Sequence, residues 1–392
     1  MDHPHVSDHG ARDTRLGALL SILVLAVNVW VVSWHLGFLH KAKQVKETDQ
    51  WRYIQMARDP ERRHPLAREA TYCWRVFVPT AARMLTRSGL SENLSFWIIT
   101  NASLFGFLLV TWLYLRDLGF ELPYRVAGLL TLGLTQAAVR WYEYQYWMTD
   151  PLSLFLIALA LLLIRRERHG WLHPVSILAA LVRENYVVVY PYYFLRLLRR
   201  GAGLVGATRR TLALAFVPLL ILVGLRALIV PDHPDSLLGD LLDTTGFRLR
   251  HLAEQPYLLT FGAYGVLVPL LLMFPRRIPG LVRRHPEQVF LVAFFWALCL
   301  LANNTERELG YTLPAVLPAA LLGLRSLIDE ARLPRPATLG VVVALQAFFF
   351  SQQRYLDMGS SMFQPTNAGV VVAMTLFWLA AQAALRRAGR PT

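Results

Sequence analysis

Arg183 and Glu184 stand side by side within residues 172–198, a stretch that is otherwise largely apolar. An ionised side chain at membrane depth costs about 2.5–3.5 kcal/mol to insert on translocon scales. Such a pair therefore either closes on itself as a salt bridge in a helix bundle or belongs to a buried polar site. Asp49 follows the first apolar run, at the start of an amphipathic segment. A carboxylate there can cap the coming helix and favour its dipole, or act as a general base that takes a proton from a hydroxyl. Residues 141–147 (WYEYQYW) surround Glu143 with aromatic rings, and Asp150-Pro151 opens the next apolar run. That pattern fits an interfacial aromatic belt, or a platform for a sugar ring with Glu143 or Asp150 binding hydroxyls. The tetrad 305–308 (TERE) sets Arg307 between Glu306 and Glu308, either as a surface ion pair or as part of the same outward surface.

The elements that must position these residues are membrane segments. Of the 392 residues, 55% are hydrophobic, and the apolar runs recur at lengths of about 20 residues, enough to cross a hydrocarbon core about 30 Å thick. The fold expected is all-α, a polytopic membrane helix bundle of about 11–12 membrane segments in one integral-membrane domain spanning 1–392. Spans are expected near 16–38, 94–115, 124–140, 150–164, 211–230, 258–275, 287–303, 309–328, 337–355 and 367–385, with a hairpin of two short arms within 171–198. The first run is too long for a secretory signal and lacks its small-residue cleavage site, so it should remain as an anchor. Two cysteines, Cys73 and Cys299, are too few for a disulfide framework.

A net charge of +14 raises the question of nucleic acid, and the placement of the charges answers it. Connections 165–170, 196–210 and 276–284 and the tail from 386 hold 15 Lys/Arg and one acid, Glu167, and are cytoplasmic by the positive-inside rule. Loops 141–150, 230–257 and 303–309 hold three Arg and nine acids and face the other side. Both termini come out cytoplasmic, and no nucleic-acid partner is expected. The segment 171–198 leaves from one basic loop and returns to another, so its arms of about 12 residues, each about 18 Å long, place Arg183-Glu184 at a tip inside the membrane. The first outer loop, 39–92, carries 11 Lys/Arg against six acids. Long loops follow the charge rule poorly. Within it, Thr48, Arg52, Gln55, Asp59 and Arg62 form a polar stripe at helical spacing while Tyr53, Ile54, Met56 and Ala57 turn the other way, and 75–87 reads as a second amphipathic helix.

Five landmarks in order, TDQWRYIQMA, CWRVFVP, TDPLSLFLIALALLL, ALVRENYVVVYP and TERELGYTLPAVLPAAL, together resemble the smaller bacterial members of the GT-C superfamily. These are integral-membrane glycosyltransferases that use polyprenyl-phosphate-linked sugars. The resemblance covers most of the chain. It implies that Asp49 is the catalytic carboxylate of the first outer loop, acting as a base, and that Arg75 and Arg183 hold the donor phosphate, with Asp150 matching a recurring acid at the start of a span. Sugar and acceptor contacts would then fall to Glu143, Tyr144, Asp150, Glu184, Glu306 and Arg307. It further implies a polyprenyl-phosphate lipid as donor, a lipid or glycan as acceptor, inversion at the anomeric carbon, and a site on the non-cytoplasmic face of a bacterial membrane. Many relatives have paired acids in the first loop, whereas here Gln50 follows Asp49, which weakens the case for a divalent metal. No cofactor besides the lipid-linked donor is implied.

Buried arginines would equally serve a transporter or flippase of an anionic lipid or glycan, or a surface-polysaccharide polymerase or ligase. A transporter often carries two similar halves, and no internal repeat is visible. The charge alternation makes one direct prediction. Cysteines placed at Ser236 and Thr305 should label from outside sealed cells, and one at Gly280 only after the inner side is opened. Labelling of Gly280 from outside would invert the topology.

Overall fold

The structure, a computed structural model, describes residues 8–39, 49–69, 72–232, 258–274, 278–299, 305–352 and 365–388, with isolated positions between 239 and 249. It is an all-α helix bundle, with no strand among the described residues. Among the described residues, four stretches are helical, long and apolar enough to cross a membrane: Gly10–Trp34, Glu92–Asp117, Leu204–Leu228 and Gly369–Arg387. The chain is thus a membrane protein, and its outer surface agrees. Leu212, Phe216, Leu220 and Val223 all point out of the bundle from Leu204–Leu228, a contiguous apolar face of the kind that lipid covers.

In chain order, α1 (Asp8–Leu36) leads to two short helices in the first loop, α2 (Asp49–Arg58) and α3 (Phe77–Arg87). As the periodicity implies, α2 buries Tyr53, Ile54, Met56 and Ala57. The long α4 (Glu92–Asp117) starts where the Ser91 hydroxyl accepts the Leu94 N–H at 3.3 Å. α5 (Leu122–Gly133) and the short α6 (Trp141–Tyr144) follow, and then α7 (Asp150–Arg165), which opens with an acid and a proline, both favourable in a first turn. Residues 171–198 form two arms, α8 (His169–Val182) and α9 (Val189–Arg199), joined by a 3₁₀ turn over Glu184–Val188. Arg183 breaks the helix in an extended conformation. The Tyr193 hydroxyl lies 3.3 Å from the His169 ring, so the arms run antiparallel. α10 (Leu204–Leu228) packs against both arms.

Two expected spans are broken rather than continuous. The one near 124–140 stops at Gly133 and resumes as a wide π turn over Gln136–Arg140. The one near 258–275 is a π turn over Leu258–Gly262, a left-handed Gly265 and a single turn of helix, Leu267–Leu271. Broken backbone inside a bundle must have its freed groups satisfied. One side chain serves both breaks. Buried Gln346, on the helix Arg335–Gln352, accepts the Val266 N–H at 2.9 Å and donates to the Leu134 carbonyl at 3.1 Å and the Thr135 hydroxyl at 3.3 Å. Hydropathy cannot distinguish this arrangement from two intact spans, because the residues are equally apolar in both.

Close backbone contact sets the remaining geometry. The helix Thr305–Gly310 lies on the 136–140 turn so tightly that a Cβ on Gly310 would come within 2.3 Å of the Ala137 carbonyl oxygen. Gly310→Ala is therefore expected to destabilise the fold by about 1–3 kcal/mol, the range for overpacking a filled interior. Gly340→Ala, where a Cβ meets nothing within 4 Å, should not. Thermal unfolding of the two variants in detergent tests the difference.

Candidate functional site

The charged residues singled out above converge from five separate segments. α2 brings Asp49, the loop before α3 brings Arg75, the start of α7 brings Asp150, the tip between α8 and α9 brings Arg183 and Glu184, and the helix Thr305–Gly310 brings Arg307 and Glu308. Asp150 is at the centre, with no exposed surface. Arg183 Nη1 approaches its Oδ1 to 2.5 Å, Arg307 Nε comes to 3.5 Å, and the Tyr311 hydroxyl donates to it at 3.1 Å. Arg307 and Tyr311 reach the same carboxylate because they are one helical turn apart. Arg183 also donates to Glu308 at 2.9 Å, and Asn185 donates to the other Glu308 oxygen at 3.0 Å.

Arg307 links this centre to Asp49, donating to it at 2.8 Å. Tyr72 donates to the other Asp49 oxygen at 2.8 Å, and Arg52 lies 3.4 Å from that oxygen and pairs in turn with Glu69. Burial raises the proton affinity of Asp49, but Arg307, Tyr72 and Arg52 overcome it and hold the carboxyl below its ordinary range. Asp49 is thus ionised at neutral pH. Beside it, Arg75 grips Glu184 with both arms of its fork, at 2.5 and 3.2 Å, and donates to Tyr53 at 2.8 Å.

The Arg183-Glu184 pair does not close on itself. Each residue takes a partner from another segment, which excludes the simple salt bridge and leaves the buried polar site. Exposure divides the carboxylates. Asp150 and Glu308 are sealed, whereas the side chains of Asp49 and Glu184 keep 18% and 31% of their surface open. Among the described residues, Arg183 Nε and Arg307 Nε donate no hydrogen bond, and the close contact of Arg183 Nη1 with Asp150 is not aligned as one. Both guanidiniums thus retain donors inside the cluster.

Two expected participants, Glu143 and Tyr144, are buried with the aromatic run. Glu143 is buried, turns toward Asn101 at 3.4 Å, and is pushed by desolvation up to about 8, against a weaker opposing effect from Asn101. It is a neutral acid at pH 7. The outward hydroxyl-binding role read from the aromatic run therefore does not fit Glu143, because the run folds into the core. Tyr144 is also buried, its ring 6.3 Å from that of Trp141. The side chain of Glu306 lies outside the described residues. The cluster also contains Glu308, which sequence reasoning left as a mere flank of Arg307. The spacing of Arg307 and Tyr311 was the available signal for an inward face. Tyr53, Tyr72 and Asn185 had none, since a tyrosine on an apolar face reads as core.

Removing the central anion should be costly, because it leaves two buried guanidiniums short of a partner. Asp150→Asn is expected to lower stability by about 3 kcal/mol, and Glu184→Gln at the open rim by clearly less. Equal thermal stability of Asp150→Asn and the native protein would show that the centre is wet rather than sealed. No family model, no curated protein and no solved structure matches the chain, so a role is argued from this geometry.

Proposed function

We propose that the chain is a membrane glycosyltransferase of GT-C type that moves a sugar from a polyprenyl-phosphate donor to a lipid or glycan acceptor on the non-cytoplasmic face. The observation that carries this reading is the juxtaposition, in one cluster, of an ionised and partly open carboxylate, Asp49, with buried arginines that keep unused donors, Arg183 and Arg307. A polyprenyl tail stays in lipid while its phosphate reaches the protein at the membrane surface. Guanidinium groups hold such a phosphate through forked, charge-assisted hydrogen bonds, and they do so more strongly as negative charge builds on it.

In the proposed step the acceptor hydroxyl gives its proton to Asp49 and its oxygen bonds to the anomeric carbon. The bond from that carbon to the phosphate oxygen breaks, and the electron pair leaves with the polyprenyl phosphate. Attack from the face opposite the phosphate inverts the centre. Asp150 and Glu308 lie too deep to meet an acceptor and serve to hold the arginines. Sodium- or proton-coupled movement of a glycolipid would need the same arginines but no base, which makes Asp49 the discriminating residue.

Purified protein supplied with labelled polyprenyl-phosphate sugars tests this directly. Asp49→Asn keeps the shape of the side chain and should lower turnover by about 10²–10⁴-fold with little change in donor binding. Arg183→Ala should weaken donor binding by roughly 10- to 150-fold, and Arg183→Lys, which keeps the charge facing Asp150 and Glu308 but loses the fork, by less. Movement of the glycolipid across liposomes without sugar transfer, or full turnover in Asp49→Asn, would defeat the transferase reading.

A further inference from the structure

A second basic site lies at the opposite end of the same helices. α7 runs away from Asp150 for 16 residues and α8 ends its 14 residues at Arg183, so their far ends lie about 21–24 Å from the charge cluster at 1.5 Å per residue. There, between the foot of α7, both arms of the hairpin and the start of α10, is a cavity of about 570 Å³. Its polar lining is Arg196, Arg200, Arg210, His169, Tyr193 and a single acid, Glu167.

The charges in this cavity are unevenly compensated. Arg196 is held by Glu287 at 3.3 Å and Arg200 by Glu167, whereas Arg210 makes no ion pair among the described residues. His169 is held below its ordinary range, chiefly by burial, with Arg210 and Arg200 adding repulsion and Glu167 opposing. A cavity of this size with surplus positive charge suits a phosphate group. Its surroundings suit a lipid. Exposed Trp171 marks the foot of α8, and beyond Arg210 the same side of α10 continues as Ala213 and Val217, both exposed. Basic pockets between helices on the cytoplasmic side of a membrane take anionic headgroups in this way.

We propose that this cavity binds the phosphate of an anionic phospholipid headgroup, with Arg210 as its main contact and the acyl chains lying along Ala213 and Val217. The proposal does not depend on glycosyl transfer. Arg209 supplies an internal control, because it is the adjacent arginine, is also exposed, and does not line the cavity. Purified protein incubated with phosphatidylglycerol or phosphatidylcholine is read by native mass spectrometry for retained lipid. The native protein should retain phosphatidylglycerol in preference, Arg210→Glu should lose that retention by about tenfold or more, and Arg209→Glu should change it by no more than about twofold. Both variants alter exposed side chains, and their unfolding midpoints check that the fold survives. Inorganic phosphate that raises the midpoint of the native protein but not of Arg210→Glu would support phosphate recognition while naming the free anion as its source. Equal loss in the two variants would mean diffuse surface attraction, and no preference for phosphatidylglycerol would mean no site. Either result overturns the proposal.

Discussion

Asp150 is a carboxylate with no contact with water, and an ion in that position costs several kcal/mol unless cations and hydrogen bonds replace its hydration. The replacements come from residues more than 30 and more than 150 positions later in the chain: Arg183 from a hairpin tip, Arg307 from the helix Thr305–Gly310 and Tyr311 from the turn that follows it. Each of those groups is itself charged or polar and buried, so the requirement propagates to Glu308, Asn185 and Asp49. The consequence is geometric. The hairpin must be long enough for its tip to reach α7, and the helix bearing Arg307 must press against the 136–140 turn closely enough that only glycine fits at 310. The bundle is arranged around this compensation.

Gln346 shows how the same bundle tolerates broken helices. In lipid a break would leave backbone groups without partners, but here two breaks face each other across one buried amide that both donates and accepts. Trp378 and Gln382 do similar service nearby, donating to the carbonyls of Leu272 and Met273 just past the end of the short Leu267–Leu271 helix. At both breaks a later helix supplies polar side chains from an otherwise apolar face. The 136–140 turn that results is the surface on which the Arg307 helix rests, so the break also contributes to the site.

Membrane class, most helix positions and the hairpin were legible because length, hydropathy and the sign of loop charges act locally along the chain. Arg183 and Glu184 were legible as candidates because an ion near membrane depth stands out against its neighbours, Asp150 and Arg307 because they flank apolar runs, Asp49 because it opens the amphipathic segment after the first run, and Arg75 only through the resemblance. Their pairing was not. Arg183 and Glu184 are adjacent in sequence yet take different partners, a result that depends on which helices meet. Glu143 misled for the complementary reason. A polar residue in an aromatic loop reads as a surface feature, and only the packing of α4 against that loop reveals it as a buried, neutral acid.

On the proposed reading, the charge balance of the cluster constrains how a donor enters. Four guanidiniums, of Arg52, Arg75, Arg183 and Arg307, face five carboxylates, of Asp49, Glu69, Asp150, Glu184 and Glu308, so the cluster as it stands does not attract a phosphate by net charge. A donor would have to take over contacts that carboxylates now hold, and those of Asp150 and Glu308 are sealed. Glu184 is open enough to yield its place on Arg75, and Asp49 is open enough to yield part of its claim on Arg307. The second exchange matters for the chemistry. Asp49 is a weak base while Arg307 and Tyr72 hold it, and its proton affinity rises as Arg307 turns its charge toward an arriving phosphate. The cation that receives the leaving group would then be the same one whose departure from Asp49 makes the base effective, which ties proton acceptance to the presence of the donor.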